Sequence, residues 1–206
     1  KNTGGGDIDS PLLRLVFIGI YFVTLILLTF RWQRTLTFVT SNSWLLFLIG
    51  LAIFSISWSS VPNIAFRKVV SLIGATMFGV YLGSRYDFEQ QLGIYSWTFG
   101  IGLFFSYIFS IALPEYGIMN TDAIVGAWQG IFPHKNGLGE SMFAGFMAFY
   151  FSSLLNVSKR KKIFFQVLTL LALIIVYFSE SATALVSIIF IFLTAQGLKR
   201  LSITSK

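Results

Sequence analysis

The stretch Leu92-Gly-Ile-Tyr-Ser-Trp-Thr-Phe-Gly-Ile-Gly-Leu-Phe-Phe-Ser-Tyr-Ile-Phe-Ser-Ile-Ala-Leu113 runs for 22 residues without one Asp, Glu, Lys, Arg or His. A helix rises about 1.5 Å per residue, so this run covers roughly the 30 Å of a bilayer's hydrocarbon core. Other apolar stretches lie at 12–30, 44–58, 69–82, 137–155, 163–178 and 184–198. The stretches 44–58 and 69–82 are short for a crossing and are expected to tilt, to be extended by their flanks, or to lie behind neighbours. The pattern predicts an all-α, polytopic transmembrane helix bundle of about seven spans, built as a single transmembrane domain over residues 1–206.

Composition supports that class. The 206 residues are 55% hydrophobic and only 11% charged, and mean hydropathy is +0.78. A water-soluble domain is about a quarter charged, so there are too few charges here to coat one. The absence of cysteine excludes disulfide frameworks, thiolate metal sites and cysteine nucleophiles. One His and eight carboxylates leave little for a His-rich centre, so neither metal nor cofactor is expected. Fifteen Lys and Arg against those eight acids give +7. In a soluble protein this excess would point to nucleic acid. Here it points to cytoplasmic loops and membrane lipids, and no nucleic-acid partner is expected.

If seven spans alternate sides, the segments 31–43, 83–91, 156–162 and 199–206 share one side, with ten of the cations, including the run Lys159-Arg-Lys-Lys162. The opposite side has five: Lys1, Arg14, Arg67, Lys68 and Lys135. The positive-inside bias places the richer side in the cytoplasm and the loop 114–136 outside. Lys1 in place of Met, followed by a polar Asn-Thr-Gly-Gly-Gly-Asp7, argues against a signal peptide and predicts a chain excised from something longer. Ser71, Ala75, Gly79 and Gly83 recur every four residues, a helix face of small side chains on which another backbone is expected to pack. Gly137, Ser141 and Gly145, with Ala144, Ala148 and Ser152, make a broader seam of the same kind.

Three segments gather the scarce polar types. Gly126-Ala-Trp-Gln-Gly-Ile-Phe-Pro-His-Lys-Asn-Gly-Leu-Gly-Glu140 contains the single His together with Trp128, Lys135, Asn136 and Glu140. Pro133 stiffens the approach, and Asn136 or Gly137 is suited to cap the helix that follows. Two potential cations, His134 and Lys135, beside free helix N–H groups make an anion site. The plainer alternative is a capping Asn, a snorkelling Lys and a His bonded to a carbonyl. Glu140 is either a helix-start carboxylate favoured by the dipole or a general base tuned by burial. Ser57-Trp-Ser-Ser-Val-Pro-Asn63 precedes Arg67, whose planar guanidinium either turns inward to grip a phosphate or snorkels to lipid headgroups. Ser179-Glu-Ser-Ala-Thr183 offers the hydroxyls of Ser181 and Thr183, which either bond a sugar or simply make a tight turn.

The segment Trp128-x-Gly-Ile-Phe-Pro-His-Lys-Asn-Gly-Leu-Gly139 resembles the most recognisable stretch of the O-antigen ligase and Wzy-type polymerase superfamily, including exopolysaccharide polymerases of the ExoQ type. Trp58-Ser59-x-x-Pro62 with Arg67, and Ser179-x-Ser181-x-Thr183-Ala-Leu185, keep that family's order, so the resemblance spans roughly residues 55 to 190. It implies a metal-independent, GT-C-like membrane glycosyltransferase of the bacterial cytoplasmic membrane, acting at the outer face. The substrate class it implies is an undecaprenyl-pyrophosphate-linked glycan, polymerised or ligated alongside other polysaccharide-assembly partners. Catalytic roles then fall to Glu140 and His134, and substrate binding to Arg67, Lys135, Asn136, Trp128, Ser181 and Thr183. Arg67 and Lys135 are expected to face one outward cavity. The family continues into a large external loop and further spans, so the chain is expected to be the N-terminal portion. The other functional classes compatible with the composition are a transporter for an anionic solute and a non-catalytic membrane scaffold. No pair of broken spans of the kind a transporter uses is evident.

The cation split makes a topology prediction. Cysteines introduced at Lys161 and Asp122 should label from opposite faces of intact cells, and labelling of both from outside would overturn the assignment.

Overall fold

The computed structural model describes residues 11–121, 124–155 and 157–204. The polar opening Lys1–Asp7, Asp122 and Lys206 lie outside them. The chain divides into two compact units, Lys1–Asp87 and Phe88–Lys206. The architecture is mostly helical, 84% of it, as the apolar runs require. Backbone N–H and C=O groups in hydrocarbon have no water to bond, and a helix satisfies them within one segment.

In the first unit, α1 (Pro11–Thr29) turns sharply into α2 (Trp32–Ser41), followed by α3 (Ser43–Phe54), a 3-10 turn η1 (Ser55–Trp58) and α4 (Pro62–Arg85). The segment 31–43, expected as a loop, is therefore largely helical. α1 and α2 meet at 99°. Thr35 at this corner is buried and donates its hydroxyl to the carbonyl of Leu28 at 3.3 Å. Pro62 opens α4 at its first position, where a missing N–H costs nothing.

The second unit is a bundle of α5 (Phe88–Ala112), α7 (Lys135–Leu154), α8 (Lys159–Phe178) and α9 (Ala182–Thr204). Between α5 and α7 the expected outer loop is a short helix, α6 (Pro114–Gly117), and an antiparallel hairpin of β1 (Ile118–Thr121) and β2 (Ile124–Trp128). The register pairs Met119 with Ala127 but Asn120 with Val125, so Gly126 is the extra residue of a bulge, at φ +90°. The hairpin and the α8–α9 turn occupy one end of this unit. The cations Lys159, Arg160, Lys161 and Lys162 open α8 at the other.

The span count differs from the expected seven. Among the described residues three helices are long and apolar enough to cross a membrane: Pro62–Arg85, Phe88–Ala112 and Lys159–Phe178. The bent pair Leu15–Thr29 and Trp32–Ser41 makes a fourth if counted as one span. The apolar segments Ser43–Trp58 and Ala182–Ile191 are shorter. α7 falls short for a different reason. It carries Lys135, Asn136, Glu140 and several Gly and Ser, and its apolar neighbours rather than its own composition bury it. α4, by contrast, begins seven residues before the expected 69–82 run and is long enough to cross.

α7 lies at the heart of the second unit. Leu138, Met142, Phe146 and Phe149 pack with Leu103 of α5, Ala172, Ile175 and Val176 of α8, and Ala184 and Ile188 of α9. Lipid tails are as apolar as these side chains, so close packing and interhelical hydrogen bonds hold such a core rather than exclusion from water. Ser96 and Ser152 bond each other at 3.0 Å between α5 and α7, and the Tyr107 hydroxyl donates to the carbonyl of Leu171 at 2.9 Å between α5 and α8. Each is worth about 1 kcal/mol or less. The expected seam on α7 does pack: a side chain on Gly145 would stand 3.0 Å from Cβ of Phe99.

The seam expected on α4 does not pack that way. Ser71, Ala75 and Gly79 are exposed, and a Cβ on Gly79 would have nothing within 4 Å among the described residues. The close approaches on α4 are instead at Gly74, which lies under the ring of Tyr21, and at Gly83, 2.8 Å from the tip of Phe38 in the same sense. Aromatic rings from α1 and α2, rather than a second backbone, use the small residues. Gly74→Leu should therefore cost about 1–3 kcal/mol, as overpacking does. Gly79→Leu should stay within about 0.5 kcal/mol of wild type. Thermal unfolding of both variants in detergent checks the pair, and equal losses would show that the small face is covered after all.

Candidate functional site

The site is built where the hairpin end of the second unit meets α7. Three hydrogen bonds to one carbonyl, that of Gly117, close the base of the hairpin onto α5: Gln129 N–H at 2.8 Å, Gly130 N–H at 3.0 Å and the Ser110 hydroxyl at 3.3 Å. Gly117 allows this because any side chain there would run into the carbonyl of Phe109. Gly130 has φ +57°, and a Cβ on it would stand 2.7 Å from Oγ of the fully buried Ser106. Both constraints demand glycine.

Trp128 locks the same end from above. Its ring stacks on Phe178 of α8 with centroids 4.7 Å apart and meets Tyr107 of α5 edge-on at 5.9 Å. Such pairs contribute about 0.5–1.5 kcal/mol beyond their area. One face of the indole is therefore taken, which makes Trp128 an anchor of the hairpin before it is a platform for sugar.

The chain then turns through Pro133 into α7, which starts at Lys135 rather than after a cap at Asn136 or Gly137. His134 is the cap: it is extended, at φ −153° and ψ 146°, and its Nδ1 accepts the Asn136 N–H at 3.1 Å. A ring nitrogen here does the work of the usual Ser or Asp oxygen. With Nδ1 accepting, Nε2 is the ring nitrogen left to donate. The Lys135 N–H donates to the thioether of Met119 on β1 at 3.4 Å, tying helix to hairpin.

Across from this turn sits the connection between α8 and α9. Gly139 packs directly on Ser181, with Ser181 Oγ 2.7 Å and Ser179 Oγ 3.1 Å from where its Cβ would be. Ser179 and Ser181 are fully buried. The Ser179 hydroxyl donates to the carbonyl of Val176 at 2.8 Å and receives the Ser181 N–H at 3.3 Å. Ser181 and Thr183 hydroxyls bond each other at 3.2 Å. Between the two serines Glu180 adopts φ +50°, a left-handed conformation uncommon for a residue with a side chain. This puts its carboxylate outward, 3.5 Å from Nζ of Lys135. The Lys135 side chain is 16% exposed and that of Glu180 61%. An ion pair with one partner so exposed contributes at most about 1 kcal/mol.

Of the residues singled out in the sequence, the fold brings Lys135 to the 179–183 turn, with His134 and Asn136 beside it in the chain. Ser181 is close by but buried under Gly139, so it supports the turn rather than facing a ligand, whereas Thr183 is exposed. Glu140 is exposed on α7, not in the buried position expected of a general base. Arg67 belongs to the first unit, exposed in the second turn of α4, where its carbonyl accepts from the Ser71 hydroxyl at 3.1 Å. Glu180 was missed as the partner of Lys135. The available signal was its place as the single carboxylate on a short turn expected on the same side of the membrane. Among the described residues no three His, Asp or Glu side chains stand close enough to hold a metal ion.

Comparisons with protein-family models, with curated proteins and with solved structures gave no match. The geometry itself makes a prediction: Gly139→Ala should destabilise the protein by about 1–3 kcal/mol and disturb the 179–181 turn. Gly137→Ala, whose Cβ would lie 3.7 Å from Phe132, should be tolerated. Thermal unfolding in detergent distinguishes them, and a neutral Gly139→Ala would remove the contact on which the site depends.

Proposed function

We propose that this chain is part of a membrane glycosyltransferase that polymerises or ligates glycans carried on undecaprenyl pyrophosphate, at the outer face of a bacterial cytoplasmic membrane. The observation that carries this reading is the meeting of two segments about 40 residues apart, both within the resemblance to O-antigen ligases and Wzy-type polymerases. Lys135 reaches Glu180, and Gly139 seats on Ser181. In this reading the architecture is of GT-C type, and α3 with η1, α7 and α9 also lie within the membrane, which brings the spans to about seven.

The chemistry follows from the arrangement. Lys135 stands at the first position of α7, where the positive end of the helix dipole adds to its own charge, although the Lys135 and Asn136 N–H groups are already taken by Met119 and His134. Glu180, mostly exposed, turns away when a pyrophosphate takes its place beside Lys135. His134 donates from Nε2 to a phosphate or sugar oxygen, and Asn136 and Thr183 supply further polar contacts. Arg67, at the head of α4, is assigned to phosphate by the same resemblance, through a two-pronged guanidinium contact. Glu140 holds the acid–base role by the resemblance alone, since it stands exposed on α7 without the burial that would tune it.

Losing one charge-assisted contact costs about 1.5–3 kcal/mol, or ten- to a hundredfold. Lys135→Ala and Arg67→Ala in the natural protein should each lower glycan transfer by that factor while leaving insertion intact. Arg67→Lys should rescue only in part, because an ammonium lacks the fork. Transfer assayed on a lipid-linked donor checks this, and full activity in both alanine variants would overturn the proposal.

A further inference from the structure

We infer that the second unit binds an anionic phospholipid at the end opposite the candidate site, with one acyl chain in a groove between α5, α7 and α8 and its phosphate at the cations that open α8. The groove has a volume of about 760 Å³. Along α5 its lining runs from Glu89 to Phe105. Those sixteen steps cover about 24 Å of helix axis, enough for a chain that fills one leaflet of about 15 Å.

The walls select hydrocarbon. Phe104, Phe164 and Leu168 line them, while the polar side chains on the floor, Ser96 and Ser152, are spent on each other at 3.0 Å. Away from the mouth the indole N–H of Trp97 is the other side-chain donor in the lining, so most polar groups of a sugar or peptide would be left unpaired. Gly93 and Gly100 open the space: a Cβ on either would meet nothing within 4 Å.

The mouth selects charge. Lys161 lines it and is flanked in sequence by Lys159, Arg160 and Lys162, against a single lining carboxylate, Glu89. Cations that served only to orient the chain in the membrane would not need to border a groove. A basic cluster at the end of a crevice between membrane helices fits an anionic headgroup. A zwitterionic choline headgroup would bring its own cation into the cluster. A covering helix from a second copy would gain nothing from it.

The test uses the full chain in phosphatidylcholine nanodiscs doped with phosphatidylglycerol, with retained lipid counted by native mass spectrometry after release. Wild type should retain phosphatidylglycerol preferentially. Lys161→Gln should cut that preference about fivefold, the value of one lysine near an anionic surface. Gly100→Leu fills the groove without changing charge and should reduce retention of both lipids to background. Gly93→Leu repeats the test nearer the mouth if circular dichroism shows Gly100→Leu unfolded. Equal retention of the two lipids by wild type, an unchanged preference in Lys161→Gln, or retention that survives both leucine variants would each overturn the inference. So would a dimer mass with no lipid bound. Glycan transfer is not read in this experiment, so its outcome is independent of the function proposed above.

Discussion

The contact between Gly139 and the Ser179–Ser181 turn is the constraint on which the hairpin end of the second unit depends. Two helices with ordinary side chains stand 8–10 Å apart, but here one residue has no side chain at all and its place is taken by a serine hydroxyl. The consequence is local and chemical. The α8–α9 connection is drawn against the first turn and a half of α7, so Glu180 arrives at Lys135. The turn accommodates this with a left-handed Glu180 backbone, held by the buried hydroxyls of Ser179 and Ser181.

Glycine and serine do in this protein what large apolar residues do in a soluble core. Without a contrast between side chain and solvent, association is governed by how closely surfaces fit and by which polar groups find each other. Gly117, Gly130 and Gly139 each mark a point where a backbone or hydroxyl comes too near for a Cβ. Ser96 with Ser152, and Tyr107 with the carbonyl of Leu171, close the polar accounts between helices. The Ser106 hydroxyl is buried without a partner, pressed against Gly130. Its presence indicates that small size at that position matters more than its hydrogen bond.

The two ends of the second unit have opposite chemical characters. At the hairpin end Lys135, next in the chain to His134, opens α7 and pairs with Glu180 of the α8–α9 turn. At the other, Lys161, within a run of four consecutive cations, borders an apolar groove. A helix bundle makes this separation possible because its connections fall alternately at either end while its middle has no room for charge. A phosphate is proposed at each end, and a sugar at the hairpin end.

The sequence by itself determined the helical class, since uncharged runs such as 92–113 have no other way to satisfy their backbone in hydrocarbon. It also marked 126–140 and 179–183 as polar islands, because scarce residue types concentrate there. It did not determine the number of spans: the apolar runs suggested about seven, whereas among the described residues α4, α5 and α8 are the helices long and apolar enough to cross, with the bent α1–α2 pair a fourth if counted as one. Tertiary structure decided which small residues are in contact. Periodicity singled out Gly79 and passed over Gly74, yet it is Gly74 that faces a ring from α1. It decided that His134 rather than Asn136 caps α7, because the cap depends on backbone angles set by the hairpin below. It also decided the pairing of Lys135 with Glu180. That contact spans 45 positions, and no local pattern encodes a distance that only the packing of α7 against the α8–α9 turn creates.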